Sequence, residues 1–312
     1  MYQKLSKNER LFGLNFFFNE IINLYTEKKM PNKILLSGKK GLGKSTLAYH
    51  LINCILSQGE DYKYDNEKFE INKENKSYKL VKNHSHPNFY LIDLMDEKKS
   101  IDIAQVRNMI TYTNKSSFNN MPRFILIDNI ENLNKNSVNA LLKIIEEPNS
   151  GIFFILINNN EKNILPTLRS RCLTFKINLT FDQSINIVNQ ILNKNIFDLI
   201  NPDIIDHYIT PGEIISLVNI AEDKKINLLE HDLKSLLKLL IDNKYYKQNI
   251  IIKKIMINFI ELFFLKEYKL TNAKNSLLNL YHNFLKKSHD VEKFNLDEES
   301  LFLEFKSKLL HE

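Results

Sequence analysis

The sequence predicts an α/β domain followed by a region built only of helices. Three observations indicate this fold class: short apolar runs alternate with segments of helical spacing in the first half, a glycine-rich loop follows the first run, and the strand signals stop after Ile177. Continuous apolar runs are typical of strands buried on both faces of a parallel sheet. The five predicted strands are residues 33–37, 89–94, 123–128, 152–158 and 173–177.

Amphipathic helical patterns separate the predicted strands. They cover residues 44–57, 103–113, 137–146 and a short stretch near 161–170. From Asp182 onward such patterns continue to the end, interrupted at Pro202 and at the pair Pro211 and Gly212. A chain of 312 residues is long enough for two or three domains. We therefore expect an α/β domain at 1–178, a small helical unit at 179–224 and a helical bundle at 225–312.

Composition excludes several protein classes. Hydrophobic residues make up 43% of the chain, yet no apolar run approaches the roughly 20 residues that span a bilayer. The start of the chain lacks a secretory pattern, so we expect a cytoplasmic protein. The net charge of +6 permits contact with nucleic acid without requiring it. Two distant cysteines, Cys54 and Cys172, indicate neither a disulfide framework nor a four-thiolate metal site.

The strongest motif is GKKGLGKS at residues 38–45, which lies between a predicted strand and a predicted helix. It matches the phosphate-loop pattern, in which backbone amides surround phosphate oxygens at a helix N-terminus. Lys44 is expected to reach the β- and γ-phosphates, and the Ser45 hydroxyl to hold Mg²⁺. The full set of expected nucleotide-binding residues is Gly38, Gly41, Gly43, Lys44, Ser45, Thr46 and Asp128.

Asp128 and Asn129 follow the buried run FILI at residues 124–127. This placement puts Asp128 at the carboxyl edge of the sheet, where it is expected to hold Mg²⁺ together with Ser45. An active ATPase of this type carries a carboxylate directly after that aspartate to polarise water, whereas this chain has Asn129. An amide cannot accept the proton of the attacking water.

The order of the remaining motifs strongly resembles the bacterial DNA polymerase III clamp-loader ATPase family over roughly residues 1–220. The motifs that carry the resemblance are the phosphate loop, HPN at 86–88, SSFN at 116–119, NALLK at 139–143 leading into EEP at 146–148, and SRC at 170–172. The helices near the C-terminus resemble that family only in kind.

This resemblance implies an AAA+ P-loop ATPase domain with a five-stranded parallel sheet, a small helical lid at 179–224 and a helical collar at 225–312. In the family, the arginine of the Ser-Arg-Cys motif enters the nucleotide site of the adjacent subunit, so Arg171 is the candidate arginine finger, acting in trans. Ser170 and Cys172 would shape and pack its turn. The implied partners are gamma/tau and delta subunits in a hetero-pentamer, with the sliding clamp and primer-template DNA reached through the complex and no membrane.

Three departures separate this chain from the motor subunits of the family and favour its delta-prime branch. Asn129 replaces the catalytic carboxylate. Glu213 stands where the lid of motor subunits carries a basic residue. The insertion at 59–86 has no cysteine, and His84 and His86 alone cannot form the zinc module of many relatives. We therefore expect ATP and Mg²⁺ to bind without rapid hydrolysis, and no zinc site.

Other interpretations remain open. The chain could be an active gamma/tau-like motor subunit in which another group positions water, a P-loop kinase or metabolic NTPase, or an assembly protein that uses no nucleotide. In the collar, a stripe at Ile251, Ile255, Phe259 and Leu262 is expected to mediate association with other subunits. The aromatic residues Phe259, Phe263, Phe264 and Tyr268 lie on one helical face, which indicates a bundle core or a subunit interface.

Overall fold

The computed structural model describes residues 8–95, 98–115, 119–205, 209–248, 250–270, 274–294 and 296–310. Residues 116–118 of the SSFN motif therefore lie outside the described residues. The chain forms two compact units. The first contains Met1–Ile187 with Thr210–Gly212, and the second contains Val188–Ile209 with Glu213–Glu312. The division of the helical part into a lid and a collar stays a prediction.

The first unit contains one parallel sheet of five strands in the order β2-β3-β4-β1-β5. Their bounds are β1 Lys33–Ser37, β2 Phe89–Ile92, β3 Arg123–Ile127, β4 Ile152–Asn158 and β5 Leu173–Lys176. All four pairings are parallel, which places the carboxyl ends of the strands at one edge. The predicted α/β class with five parallel strands is thus confirmed, with three strands one or two residues shorter than expected.

Helices cover both faces of this sheet. Their bounds are α1 Asn15–Thr26, α2 Lys44–Leu56, α3 Lys76–Lys82, α4 Ile103–Thr113, α5 Lys135–Glu146 and α6 Pro166–Arg169, with a 3₁₀ turn at Ile130–Asn132. Strand residues alternate between two cores: Phe124 and Leu126 pack on the side of α1 and α2, while Ile125 and Ile127 pack on the side of α4 and α5. Burial on both faces explains why the strands read as unbroken apolar runs.

The insertion at 59–86 is packed against the domain rather than loosely attached. Tyr64, Ile71 and Val81 are at most 4% exposed and belong to the same core as Phe18 of α1. The Phe18 ring stacks on Tyr64 with centroids 5.2 Å apart. Helices α1 and α3 were not predicted from the sequence. Only the fold supplies the partners that bury them, which weak local periodicity does not reveal.

Asn75 is the main polar anchor of this insertion. It is fully buried, and its side-chain oxygen caps α3 by accepting from the Tyr78 amide at 2.7 Å. The same oxygen accepts from Asn53 of α2 at 3.2 Å, and its Nδ2 donates to the Tyr62 carbonyl at 2.8 Å. The hydrogen bond from Asn53 thus connects this segment to α2.

Among the described residues, no group of three or more His, Cys, Asp or Glu side chains could hold a metal ion.

The second unit is helical throughout its described residues. The helices after β5 are α7 Phe181–Leu192, α8 Pro211–Lys224, α9 Leu233–Asp242, α10 Tyr245–Gln248, α11 Ile250–Leu270, α12 Lys274–Phe294 and α13 Glu299–Phe305. Short 3₁₀ turns occupy Ile196–Asp198 and Pro202–Ile204, and a π-helical turn covers Lys306–Leu310. None of the helices in the described ranges is long and apolar enough to span a membrane.

The aromatic stripe of α11 forms the core of this unit. Phe263 and Phe264 are at most 5% exposed and contact Phe305 with ring centroids 5.7 and 5.8 Å apart. Phe259 is 3% exposed, whereas Tyr268 is only partly buried. The bundle-core alternative for the aromatic residues is therefore confirmed for the three phenylalanines.

The same packing corrects the expected association stripe. Ile255, Phe259 and Leu262 are at most 7% exposed within the chain itself, and Ile251 is partly buried. A side chain that is already covered by its own domain cannot form the apolar centre of an interface. The periodicity correctly predicts an apolar stripe on α11, but it does not tell whether the stripe faces its own bundle or a partner.

The first prediction concerns His50, which is completely buried. Its Nε2 lies 3.0 Å from the Asn8 carbonyl and its Nδ1 2.9 Å from the Tyr64 hydroxyl. A carbonyl only accepts, so Nε2 carries the proton and Nδ1 accepts from Tyr64. Burial lowers the pKa of His50 to about 4, while the hydrogen bond to Asn8 acts in the opposite direction.

His50 therefore binds a proton near pH 6.5 in the unfolded chain, but only near pH 4 in the folded chain. His50 should make the free energy of unfolding fall by up to roughly 3 kcal/mol as the pH is lowered through that window. Urea unfolding from pH 7 to 4 should show a shallower decline for His50→Gln than for the native chain. His84→Gln, at an exposed histidine, is the control and should keep the native slope. Equal slopes for all three proteins would contradict this assignment.

The second prediction concerns Asn75. Asn75→Ala removes a helix cap and two buried hydrogen bonds, so it should lower the free energy of unfolding by about 2–3 kcal/mol. Asn72→Ala is a matched control because Asn72 is exposed and its side-chain oxygen accepts from the Glu74 amide at 2.9 Å. Its effect should stay below about 1 kcal/mol. Similar losses for both variants, measured by urea unfolding, would argue against an anchoring role.

Candidate functional site

The phosphate loop runs from the end of β1 into the start of α2, as its motif predicts. Gly41 and Gly43 have φ angles of +88° and +83°, a region that other residues rarely adopt. Gly41 is also held closely: its carbonyl accepts from the Gly212 amide at 3.0 Å, and a Cβ on it would lie 2.3 Å from the Thr210 hydroxyl. Gly43 is the N-cap of α2, so the free amides of the first turn follow the loop.

Lys44 is the buried cation of this loop, with 3% exposure. Its ammonium donates to the carbonyls of Gly38 at 2.8 Å and Lys39 at 2.5 Å. Burial lowers the pKa of Lys44 to about 8, and the charges of Asp128, Glu131 and Glu161 oppose that shift. A desolvated ammonium held among carbonyls is suited to exchange these contacts for phosphate oxygens.

Asp128 and Ser45 are brought together, as the sequence predicts for a magnesium pair. The carboxylate follows β3 and accepts hydrogen bonds from the Ser45 side chain and, at 2.8 Å, from the Asn129 amide. Burial, followed by the charge of Asp93, raises the pKa of Asp128 to about 6. A hydroxyl and a carboxylate in contact are the protein ligands that Mg²⁺ prefers beside a nucleotide. Thr46, by contrast, is buried in the first turn of α2.

Asn129 lies at the centre of a polar network that joins three strand ends. Its Nδ2 donates to the Asp93 carboxylate after β2 at 2.7 Å. Its Oδ1 accepts from Asn159 Nδ2 after β4 at 2.8 Å, and the Asn159 amide donates to Glu131 Oε1 at 3.1 Å. Glu131 is 8% exposed, and its other carboxylate oxygen has no hydrogen-bond partner among the described residues. Asn129 itself has a φ of +58°, which asparagine tolerates better than most residues.

Asp93 and the three asparagines at the end of β4, Asn158 to Asn160, were not predicted as site residues from the sequence. Asn158 Nδ2 donates to Asn160 Oδ1 at 2.8 Å, and Asn160 Oδ1 also accepts from the Ser37 hydroxyl at 3.0 Å. The Gly38 amide donates to the Asn158 carbonyl at 3.2 Å, which ties the phosphate loop to β4. Three consecutive asparagines directly after an apolar run were the available signal, because strand ends of one parallel sheet share an edge.

Arg171 lies at the opposite edge of the sheet from the phosphate loop. Leu173, which starts β5, pairs with Ile34 near the start of β1, whereas the loop follows the end of β1 at Ser37. The Arg171 guanidinium donates to Glu146 at 2.8 Å and to the Thr167 carbonyl at 2.8 Å. Its side chain is 36% exposed. Arg171 is therefore positioned on the surface, away from its own nucleotide loop.

The neighbours of Arg171 shape its turn. The Ser170 hydroxyl donates to the Thr167 carbonyl at 3.2 Å, and the Cys172 thiol donates to the Leu168 carbonyl at 3.3 Å. Burial raises the pKa of Cys172 to about 11, so this thiol is protonated near neutral pH and is a packing residue. In the second unit, Glu213 accepts from Asn258 Nδ2 at 3.0 Å.

Two curated relatives come from Buchnera aphidicola subsp. Schizaphis graminum. One, named DNA polymerase III subunit gamma, is 31% identical over 227 residues, which cover 72% of this chain and 57% of the relative. The other, named DNA polymerase III subunit delta', is 29% identical over 236 residues and covers 72% of this chain and 68% of the relative. A delta' subunit of Pseudomonas aeruginosa is 30% identical over 139 residues, 45% of this chain and 40% of the relative. The matched regions cover between 40% and 68% of the lengths of these three relatives.

A solved structure of a DNA polymerase III gamma subunit-related protein from Thermotoga maritima overlaps 86% of this chain and 77% of its own, with 16% identity and a TM-score of 0.41. The family model described as DNA polymerase III, delta subunit, matches residues 14–180, which is more than half of the chain. The chain therefore belongs to this family, and the clamp-loader resemblance indicated by its motifs is confirmed at the level of the family.

Proposed function

We propose that this chain is the delta-prime subunit of a bacterial clamp loader, which binds ATP without rapid hydrolysis and completes the ATP site of a neighbouring subunit with Arg171. One observation carries this proposal: a complete phosphate-binding set lies beside an asparagine amide whose two ends are both hydrogen-bonded within the protein. Family membership and the delta' names of several relatives support it.

The nucleotide would be held by the loop and the two residues beside it. The backbone from Gly38 to Gly43, with the first amides of α2 at Lys44, Ser45 and Thr46, would surround the phosphates. Ser45 and Asp128 would hold the Mg²⁺ that accompanies ATP and neutralises phosphate charge. Lys44 would exchange its two carbonyl contacts for phosphate oxygens and regain a partner for its buried charge. This site requires no zinc.

Hydrolysis in this site lacks a proton acceptor at the usual position. As the oxygen of the attacking water bonds to the γ-phosphorus and the bond to ADP breaks, a proton of that water must pass to a base. An amide at 129 cannot accept it. The Asn129 side chain donates to Asp93 and accepts from Asn159, and these two contacts fix its orientation within the protein.

Arg171 is suited to act in trans. Its ion pair with Glu146 is exposed on both sides, and such pairs contribute only about 0.2–1 kcal/mol, so the guanidinium can leave Glu146 for a stronger anion. A phosphate of a nucleotide bound by an adjacent subunit would offer that anion, with bidentate contacts. The guanidinium would keep its hydrogen bond to the Thr167 carbonyl during this exchange, because a different nitrogen contacts Glu146.

The assembly itself belongs to the proposal. The partners would be the gamma/tau and delta subunits of a hetero-pentamer, through which the chain would act on the sliding clamp and on primer-template DNA. Residues 179–224 would form the lid and 225–312 the collar. With Ile255, Phe259 and Leu262 buried in their own bundle, contacts between collars would use exposed apolar residues such as Leu278 and Leu285 instead.

A motor role in the same loader is the second candidate, because the gamma relative matches this chain as extensively as the delta' relative. In that case another carboxylate near the loop would have to position the water. Measured turnover separates the two roles.

The third prediction is that the purified chain binds ATP but hydrolyses it negligibly. Lys44→Ala should weaken ATP binding at least about tenfold, because it removes a buried ammonium that contacts phosphate. Lys40→Ala is the matched control, since the Lys40 side chain is 60% exposed and its pairing with Glu161 spans 3.9 Å. It should change ATP affinity only slightly. Rapid turnover by the native chain that Lys44→Ala abolishes would favour the motor role.

The fourth prediction concerns Arg171→Ala in the assembled loader. The variant should fold, bind ATP and assemble normally, because only an exposed ion pair and one backbone contact are lost. One of the ATP sites in the ring should lose most of its activity, since an arginine finger can contribute about 10³–10⁵ in rate. Total hydrolysis should fall partially, and clamp loading should fall more because it needs the sites to act together.

Arg169→Ala provides the control for this experiment, since Arg169 is an exposed arginine two residues away on the same turn. Normal assembly with native loading rates for Arg171→Ala would exclude the finger role. Failure to assemble would show that Arg171 is a structural interface residue.

A further inference from the structure

We propose that Asp93 is a positioning residue that requires a hydrogen-bond donor at position 129. A carboxylate is tolerated at position 129 only when Asp93 is itself replaced by a neutral side chain that can donate. Asp93 directly follows β2 and was not among the residues singled out by sequence. The inference depends on the proposed function only in assigning this strand edge to Mg²⁺ and ATP.

The hydrogen bonds at Asn129 have a fixed direction. Asp93 Oδ1 accepts from Asn129 Nδ2 at 2.7 Å and from the Leu94 amide at 2.7 Å. On its other side, Asn129 Oδ1 accepts from Asn159 Nδ2 at 2.8 Å. An ionised carboxylate can only accept, so position 129 must offer a donor toward Asp93 and an acceptor toward Asn159. Asparagine meets both requirements within one short side chain.

A carboxylate at position 129 would meet only one of them. One oxygen could still accept from Asn159. The other would lie against the Asp93 carboxylate, at the 2.7 Å where the Asn129 amide now donates. Two carboxylate oxygens in such contact repel each other, and neither has a hydrogen to donate to the other. The repulsion adds to negative charge already present at this edge, because Asn159 contacts both position 129 and the carboxylate of Glu131.

The backbone makes this arrangement hard to avoid. Asn129 has a φ of +58° and its own amide donates to Asp128, so its side chain leaves the strand in a defined direction. Asp93 is also restrained, since its carboxylate accepts from the Leu94 amide and its backbone carbonyl accepts from Gln105 Nε2 at 2.9 Å. Rotation of either side chain would therefore leave another partner without its hydrogen bond. Asp93 therefore determines that the side chain at position 129 must be the hydrogen-bond donor of this pair.

A reciprocal exchange tests this inference. The full chain is prepared as Asp93→Asn, as Asn129→Asp and as the double variant. In the double variant, the new amide at position 93 can donate to the new carboxylate at position 129, which re-forms this bond with reversed polarity. The hydrogen bond from the Leu94 amide is then lost, because the amide nitrogen at position 93 cannot accept it. Thermal unfolding midpoints and Mg²⁺·ATP affinities are measured for each. Asn132→Asp, alone and with Asp93→Asn, is the matched control. It adds a carboxylate three residues away that faces Lys162, whose ammonium lies 3.0 Å from Asn132.

Asn129→Asp alone should lower the unfolding midpoint by about 5 °C or more and weaken Mg²⁺·ATP binding about tenfold. Asp93→Asn alone should have little effect, because its amide oxygen still accepts from Asn129. The double variant should regain at least about half of the lost midpoint and affinity, because the bond between positions 93 and 129 returns while the one from the Leu94 amide does not. The Asn132 pair should behave additively.

A native midpoint for Asn129→Asp, or no rescue in the double variant, would overturn the role of Asp93. These outcomes are distinct from failure of the proposed function. If the native chain does not bind Mg²⁺·ATP, the proposed function fails, while the unfolding midpoints still decide whether Asp93 controls position 129.

Discussion

The parallel pairing of β3, β4 and β1 is the constraint on which the site depends. Because these strands run in the same direction, their carboxyl ends meet at one edge, and the residues that follow them lie side by side. The phosphate loop after β1 thereby acquires Asp128 after β3 and the asparagines after β4. Local sequence supplies each of these residues, but only the pairing brings together groups that are about 30 to 120 positions apart.

Charge balance at this edge follows from the pairing. Burying the ammonium of Lys44 is costly unless anions lie near it, and Asp128, Glu131 and Glu161 provide them. A further negative charge is disfavoured at this edge, where burial and then the charge of Asp93 raise the pKa of Asp128. The site is thus suited to accept a nucleotide together with its metal ion, whose positive charge offsets the carboxylates. An asparagine at 129 keeps this balance where a carboxylate would disturb it.

The two ends of the sheet separate two tasks. The carboxyl edge carries the nucleotide loop, and the amino-terminal end of β5 carries Arg171 on the surface. Under the proposed function, the loop would bind a nucleotide at one end of the sheet, and Arg171 would contribute to a neighbouring subunit at the other end. The insertion at 59–86 serves neither task directly. It packs against α1 and α2 through a buried aromatic pair and the hydrogen bonds of Asn75.

The sequence by itself determined the five strands, the phosphate loop, and the proximity of Ser45 and Asp128. Apolar runs buried on both faces and a contiguous glycine motif carry their information locally, and parallel strands leave little freedom in where their ends meet. It also identified Asn129 as the residue at the position of the usual carboxylate, and Arg171 as the arginine of the SRC motif. Helices α1 and α3 escaped prediction because their stability comes from packing partners rather than from their own periodicity.

Only the tertiary structure decided the partners of these residues. The contacts of Asn129 with Asp93, 36 positions away, and of Arg171 with Glu146, 25 positions away, leave no trace in local spacing. The sequence predicts the apolar stripe of α11 correctly. The surface that covers this stripe is the chain's own bundle, and only the folded structure shows this. Periodicity reports that a face avoids water, whereas the identity of its covering surface is a property of the folded chain.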